Sequence, residues 1–130
     1  MTRGVDTVRR LYELFAAGDY DAAAELVDPE VEWDTSAAPA GVRVTGAEAA
    51  MGDYRGMREA WEEFELVAED FVEVGDHVVV IVRNSGRGVG GGVPIEARRA
   101  HVWVLRDGVP VSFRLYLDPD EALAAVGASG

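Results

Sequence analysis

Arg98-Arg99-Ala100-His101-Val102-Trp103-Val104-Leu105, the pair Asp107-Gly108 and the run from Val111 to Leu117 decide the fold of this chain. Asp-Gly between two runs rich in Val, Leu and aromatic residues predicts a tight β-hairpin. Residues two apart on a strand share a face. Arg99, His101, Trp103 and Leu105 therefore line up on one side of the first arm. On the second arm Phe113, Leu115 and Leu117 form one set, and Arg114 and Tyr116 the other. A guanidinium and an imidazole in line with aromatic and aliphatic groups are what a small-molecule pocket needs. They are equally what a well-satisfied structural strand can contain, and both readings stay open on the residues.

Working outward, Val5, Val8, Leu11, Tyr12 and Phe15 recur at helical spacing and predict a helix over 4–17, ended by Gly18. Asp19 is placed to cap a second helix over 20–27, and Asp28-Pro29 stops it. Val31 to Thr35 reads as a short strand with Val31, Trp33 and Thr35 on one face. Residues 36–44, with Pro39 and Gly41, read as a loop. Thr45-Gly46-Ala47-Glu48 has capping-box spacing, so a helix is expected from there. Tyr54, Met57, Trp61 and Phe64 carry it to about residue 63, with Gly52-Asp53 a candidate interruption. Strands follow over 66–74, 77–87 and 93–106, then the closing arm, and a last helix over 120–126. Helices first and an antiparallel meander after them make the class α+β.

The 130 residues suit one domain, and a 48% hydrophobic content supports a packed core. There is no cysteine, which removes disulfides, thiolate nucleophiles and zinc–thiolate sites. All 12 basic residues are Arg, so no lysine Schiff base can form. The net charge of −12 argues against nucleic acid and against an anionic membrane surface. No apolar run reaches the ~20 residues of a membrane span. With no signal-type segment after Met1-Thr2-Arg3-Gly4, a cytoplasmic location is expected.

Val8-Arg9-Arg10-Leu11-Tyr12 with Ala17-Gly18-Asp19-Tyr20-Asp21 resembles the opening of the nuclear transport factor 2-like superfamily. Leu26-Val27-Asp28-Pro29-Glu30-Val31-Glu32-Trp33 resembles its first strand entry, and Tyr54-Arg55-Gly56 another of its segments. Ala100-His101-Val102-Trp103, Arg106-Asp107-Gly108 and Arg114-Leu115-Tyr116-Leu117-Asp118 are similar to the SnoaL-like branch. The resemblance spans nearly the whole chain. It implies a single domain over 1–130: a cone-shaped curved antiparallel sheet packed around N-terminal helices and enclosing a pocket, an α+β roll like that of cystatin. It also implies a homodimer, with Tyr116 and Arg114 on the pairing face. Ketosteroid isomerases, polyketide cyclases, limonene-type epoxide hydrolases and dehydratases share this fold, as do many non-enzymes, so the fold does not choose an activity.

By the same resemblance His101 stands where the enzymes keep an inward aspartate, and Arg99 matches the arginine of the epoxide hydrolase Arg-x-Asp pattern. Trp33 lies near the isomerase's general-base aspartate, Leu11 near its oxyanion-binding tyrosine, and Leu115 near the hydrolase's second aspartate. Both catalytic sets are thus incomplete here. The expected ligand is a small apolar or polycyclic molecule. Any chemistry would be cofactor-free and metal-free isomerisation, cyclisation, dehydration or hydrolysis; the alternative is a non-catalytic ligand-binding or dimeric interaction module.

The candidate catalytic residues are His101 as base, Arg99 as its electrostatic partner, and Asp34, which alternation turns away from Trp33. The candidate wall is Trp33, Thr35, Tyr54, Trp61, Trp103, Phe113 and Leu115, with Tyr54 and Tyr12 as possible hydroxyl donors. His77, beside a turn, is expected to face solvent. Gly86 to Gly92 has phosphate-loop spacing, but it joins two strands and no helix follows, so a hairpin tip is the better reading. Glu59, Glu62, Glu63 and Glu65 read as a solvated helix face.

Overall fold

The computed structural model describes residues 3–38, 41–88 and 94–127. The expected 89–92 turn tip, the entry residue Val93 and Pro39 lie outside them. In chain order the elements are α1 (Arg3–Ala17), α2 (Tyr20–Leu26), β1 (Glu32–Asp34), β2 (Arg43–Thr45), α3 (Ala47–Glu59), β3 (Trp61–Val74), β4 (His77–Gly88), β5 (Pro94–Arg106), β6 (Val109–Tyr116) and α4 (Pro119–Ala125). The six strands form one curved, unclosed sheet in the order β2-β1-β6-β5-β4-β3. This is the expected α+β roll.

The deciding hairpin is β5–β6. Asp107 and Gly108 hold φ of 52° and 79°. Two consecutive positive φ values match the right-handed twist of the flanking strands. Trp103 pairs with Phe113, and His101 with Leu115. On the other side His101 pairs with Val80, and Trp103 with Val78. The concave face thus carries Val78, Val80, Val82, His101, Trp103, Leu105 and Phe113, and α1–α3 pack into it. The stripe Val8, Leu11, Tyr12 and Phe15 on α1 supplies the opposing surface, as its helical spacing requires.

The convex face has its own apolar cover. Val79, Ile81, Ala100 and Val102 are buried there, together with Ala122 of α4 and the partly buried Val72, Tyr116, Leu123 and Val126. Continuous β-branched residues in β4 follow from this: both faces are covered. Asp118 accepts a hydrogen bond from the Asp120 backbone N–H and starts α4, with Pro119 at its first turn. Arg114 stands 5.0 Å over the Tyr116 ring on this side of the sheet.

Four expectations are corrected. Residues 43–45 are a strand, not loop, pairing antiparallel with β1. β1 joins β6 in parallel, so the sheet is not a pure antiparallel meander. Thr45 lies in β2, and the α3 cap is Gly46, without a side-chain bond; the Pro29 carbonyl takes the Ala47 N–H instead. Finally, α3 runs unbroken through Gly52-Asp53 and ends at Glu59. Trp61 and Phe64 therefore belong to β3. The helical spacing of Tyr54, Met57, Trp61 and Phe64 was a coincidence across a helix–strand junction. Glu62, Glu63 and Glu65 are exposed on that strand rather than on a helix, at a bulge where Glu63 has φ of 54°. Such bulges bend long strands and help curl the sheet.

The turn geometry is testable. Gly108→Val is expected to lower the unfolding free energy by about 1–2 kcal/mol, the cost of a left-handed backbone for a residue with a Cβ. Asp107→Gly should cost nothing. Urea midpoints that do not separate the two variants would rule out the two-residue turn.

Candidate functional site

The site is built where α1 meets β5. The Tyr12 hydroxyl lies 2.5 Å from His101 Nδ1. Trp103 Nε1 donates to the same oxygen at 3.0 Å. An indole N–H can only donate, so the tyrosine oxygen is the acceptor there. The phenolic proton then goes to His101 Nδ1, which assigns the neutral Nε2–H tautomer. Two residues apart on β5, His101 and Trp103 share a face; a helix residue 89 positions from His101 closes the network.

Aromatic rings sheathe this network. The Tyr12 and His101 rings are near-parallel, 5.8 Å apart at 13°. Phe113 meets His101 edge-on at 4.9 Å. Trp33 stacks on Phe113 at 3.9 Å and meets Trp103 edge-on at 5.8 Å. Phe71 meets Tyr12 edge-on, and Arg9 lies 4.3 Å over the Phe71 ring from outside. Tyr54 stacks on Phe15 at 4.4 Å.

Burial sets the protonation states. His101 is 6% exposed. Desolvation pushes its pKa down to about 3, so the ring is neutral near pH 7. The Tyr12 hydroxyl is pushed well above its usual range by burial, against the Trp103 hydrogen bond, which lowers it. Burial also raises Tyr54 to about 12. The imidazole is therefore a hydrogen-bonding group with its lone pair engaged, and a poor proton acceptor at neutral pH.

The remaining predicted residues separate into groups. Trp33, Trp103 and Phe113 come together, with Phe113 against His101, and Leu115 stands opposite His101 in register. Arg99 is half-buried, and its Nη1 donates to the carbonyls of Arg98 at 3.0 Å and Leu117 at 3.4 Å. It has no acidic partner among the described residues and does not reach the imidazole through a hydrogen bond. Asp34 lies on the opposite side of β1 from Trp33. There it pairs with Arg43 at 3.2 Å and Arg114 at 4.0 Å. Slight desolvation, which would raise its pKa, is outweighed by the Ser36 bonds and the two arginines, so the carboxyl lies below its usual range. Trp61 sits at the start of β3 beside Gly86, apart from the other tryptophans. His77 is half-buried at the start of β4.

One acid went unseen in the sequence. Asp53 Oδ2 on α3 accepts from Trp33 Nε1 at 3.0 Å and from Thr35 Oγ1 at 3.1 Å. The shared face of Trp33 and Thr35 was readable; that a helix would set a carboxylate against both was not. Arg58 similarly donates to the Phe15 carbonyl at 2.6 Å, tying α3 to α1. Two open surface hollows, of about 630 and 280 Å³, lie elsewhere: one along Pro29 and Thr45–Ala49, the other at Glu63, Ser85–Arg87 and Pro94–Glu96. Among the described residues no group of three His, Asp or Glu is placed to hold a metal ion. No described helix is long and apolar enough to cross a membrane.

The buried neutral imidazole has a measurable consequence. Its folded pKa of about 3 lies below the reference 6.5. Between those values the unfolded chain binds a proton that the folded chain refuses. Stability is then complete above about pH 6.5 and falls toward pH 3, by about 1.4 kcal/mol per unit. His101→Leu is expected to flatten the slope of unfolding free energy between about pH 6 and about pH 4.5, before most carboxylates titrate. Equal slopes in both proteins would show that the imidazole is not held neutral.

Comparison with known proteins bears on the fold and the family. No functionally curated protein matches the chain. An NTF2-like protein from Burkholderia thailandensis superposes with a TM-score of 0.81 at 25% identity, covering 100% of this chain and 99% of that one. A putative SnoaL-like polyketide cyclase from Jannaschia gives 0.77 at 24%, covering 97% and 92%. TerC, co-crystallised with polyporic acid, gives 0.77 at 19%, covering 96% and 98%. The last two likenesses are of fold. A family model described as the SnoaL-like domain matches residues 8–112. The chain therefore belongs to the SnoaL-like domain family, whose fold is shared by polyketide cyclases and isomerases.

Proposed function

We propose that this chain binds a small, flat, apolar molecule inside the cone and does not transform it. The carrying observation is the Tyr12–His101–Trp103 network. Its imidazole has a committed Nδ1 and a pKa of about 3. A general base works best with a pKa near the operating pH. Lowering an imidazole from 6.5 to about 3 represents roughly 5 kcal/mol against the charged form, several times the net worth of one hydrogen bond. The acids that could compensate are elsewhere: Asp34 pairs with arginines outside, and Asp53 is taken up by Trp33 and Thr35.

The stacked Trp33–Phe113 pair, with Trp103 and Leu115 beside it, is a flat apolar surface of the kind an aromatic ligand site needs. The helices cover it, with Trp33, Phe113 and Trp103 all buried, so a ligand reaches it only where helix side chains yield. That TerC was co-crystallised with polyporic acid, and that another protein of this fold was crystallised with trimethylamine, supports a ligand-holding cone.

A second reading, acid–base turnover, draws on Arg99 and His101, which share a face of β5, and on His101 Nε2, which makes no hydrogen bond to a described residue. One experiment separates the two. Wild-type protein is titrated with a panel of aromatic carbonyl, enone and epoxide compounds, reading tryptophan fluorescence for binding and chromatography for conversion. Binding is expected, with compounds recovered intact, and Phe113→Ala should weaken it about tenfold or more. Conversion that disappears in His101→Ala would replace binding by catalysis.

A further inference from the structure

The half of the network that recognises a phenol and the phenol itself come from different elements. His101 and Trp103 are fixed two residues apart on β5, flanked by β4 and β6. They present one acceptor, Nδ1, and one donor, the indole N–H, to a single oxygen. Phe71 of β3 and Phe113 of β6 complete an aromatic surround on the same sheet. The oxygen and ring that fill this receptor belong to α1. Tyr12 keeps 8% exposure, and its outer neighbours are Phe71 and the exposed Arg9 laid over Phe71.

We infer that Tyr12 is a resident occupant of a phenol subsite formed by His101, Trp103, Phe71 and Phe113. The ligand of the cone is a hydroxylated aromatic ring that enters by displacing the Tyr12 side chain past Phe71 and Arg9. This rests on the ligand-binding reading above and deepens it by naming the ligand class. A phenol reproduces both hydrogen bonds. A plain arene leaves a buried acceptor and a buried donor unpaired, which is more costly than a hydrogen bond is favourable. A benzoate brings a charge to a neutral imidazole, while Arg99 is engaged by the Arg98 and Leu117 carbonyls. The subsite therefore selects neutral phenols over arenes and over aromatic carboxylates.

The test uses p-cresol, the tyrosine side-chain analogue, beside toluene and benzoate. Tyr12→Ala opens the receptor, and calorimetric titration is expected to show p-cresol binding about tenfold or more tighter than toluene, with benzoate weakest. His101→Leu added to Tyr12→Ala should bring p-cresol and toluene together. In wild-type protein, p-cresol should move the Trp103 indole N–H resonance, assigned with Trp103→Phe, and toluene should not. Equal p-cresol and toluene affinities in Tyr12→Ala overturn the phenol subsite while leaving an apolar-ligand cone intact. A wild-type indole signal that p-cresol never moves, at concentrations saturating the variant a thousandfold, overturns displacement of Tyr12. Failure of every aromatic compound to bind wild type instead sinks the ligand-binding reading itself. If Tyr12→Ala does not fold, the wild-type indole titration alone decides.

Discussion

Everything in this molecule turns on β5 being buried on both sides. Its odd-numbered residues from His101 to Leu105 face the helices, and Ala100 and Val102 face α4. A one-residue slip would exchange the two sets. It would drive a guanidinium and an imidazole beneath α4, where Val79 and Ile81 offer no partner, and put valines against Tyr12. The Asp107-Gly108 turn and the bulge between Val104 and Leu105 hold the register against that slip.

Placing a histidine on the concave side creates a polar obligation in an apolar interior. The chain meets it with Tyr12 and Trp103, whose complementary donor and acceptor roles leave Nδ1, the phenolic oxygen and the indole N–H all paired. A buried polar group left unpaired costs about 1–3 kcal/mol, so the three residues stand or fall together. The same satisfaction commits the imidazole: its Nδ1 lone pair is spent on a phenol, in a ring that burial keeps uncharged.

The acidic residues show the other side of that balance. With 24 acids and 12 arginines, the chain keeps its carboxylates at the periphery. Glu69 bridges Arg83 and Arg98 on the surface, and Asp34 bridges Arg43 and Arg114. Exposed pairs of this kind contribute little to stability, typically under 1 kcal/mol, but they fix where negative charge resides. Asp53 is half-buried, and by accepting from the Trp33 indole and the Thr35 hydroxyl it ties α3 to β1 and the residue after it.

Local pattern was enough for α1, α2, β4, the β5–β6 hairpin and α4, because helical periodicity, strand alternation, an Asp-Gly turn and Asp caps act within a few residues of chain. It also put His101 and Trp103 on one face of their strand, and Phe113 and Trp33 each on one face of theirs, since alternation is a property of the strand itself. That these faces meet, and that Trp61 stays apart, came from the pairing of the strands. The junction at Glu59–Trp61 and the pairing of 43–45 escaped it. Three-residue strands carry almost no periodicity, and a tryptophan at helical spacing reads the same on either side of a break. The bonds from Tyr12 to His101 and from Asp53 to Trp33 were beyond it for a different reason. They join residues 89 and 20 positions apart, and only the docking of α1 and α3 into the curl of the sheet decides which donor meets which acceptor.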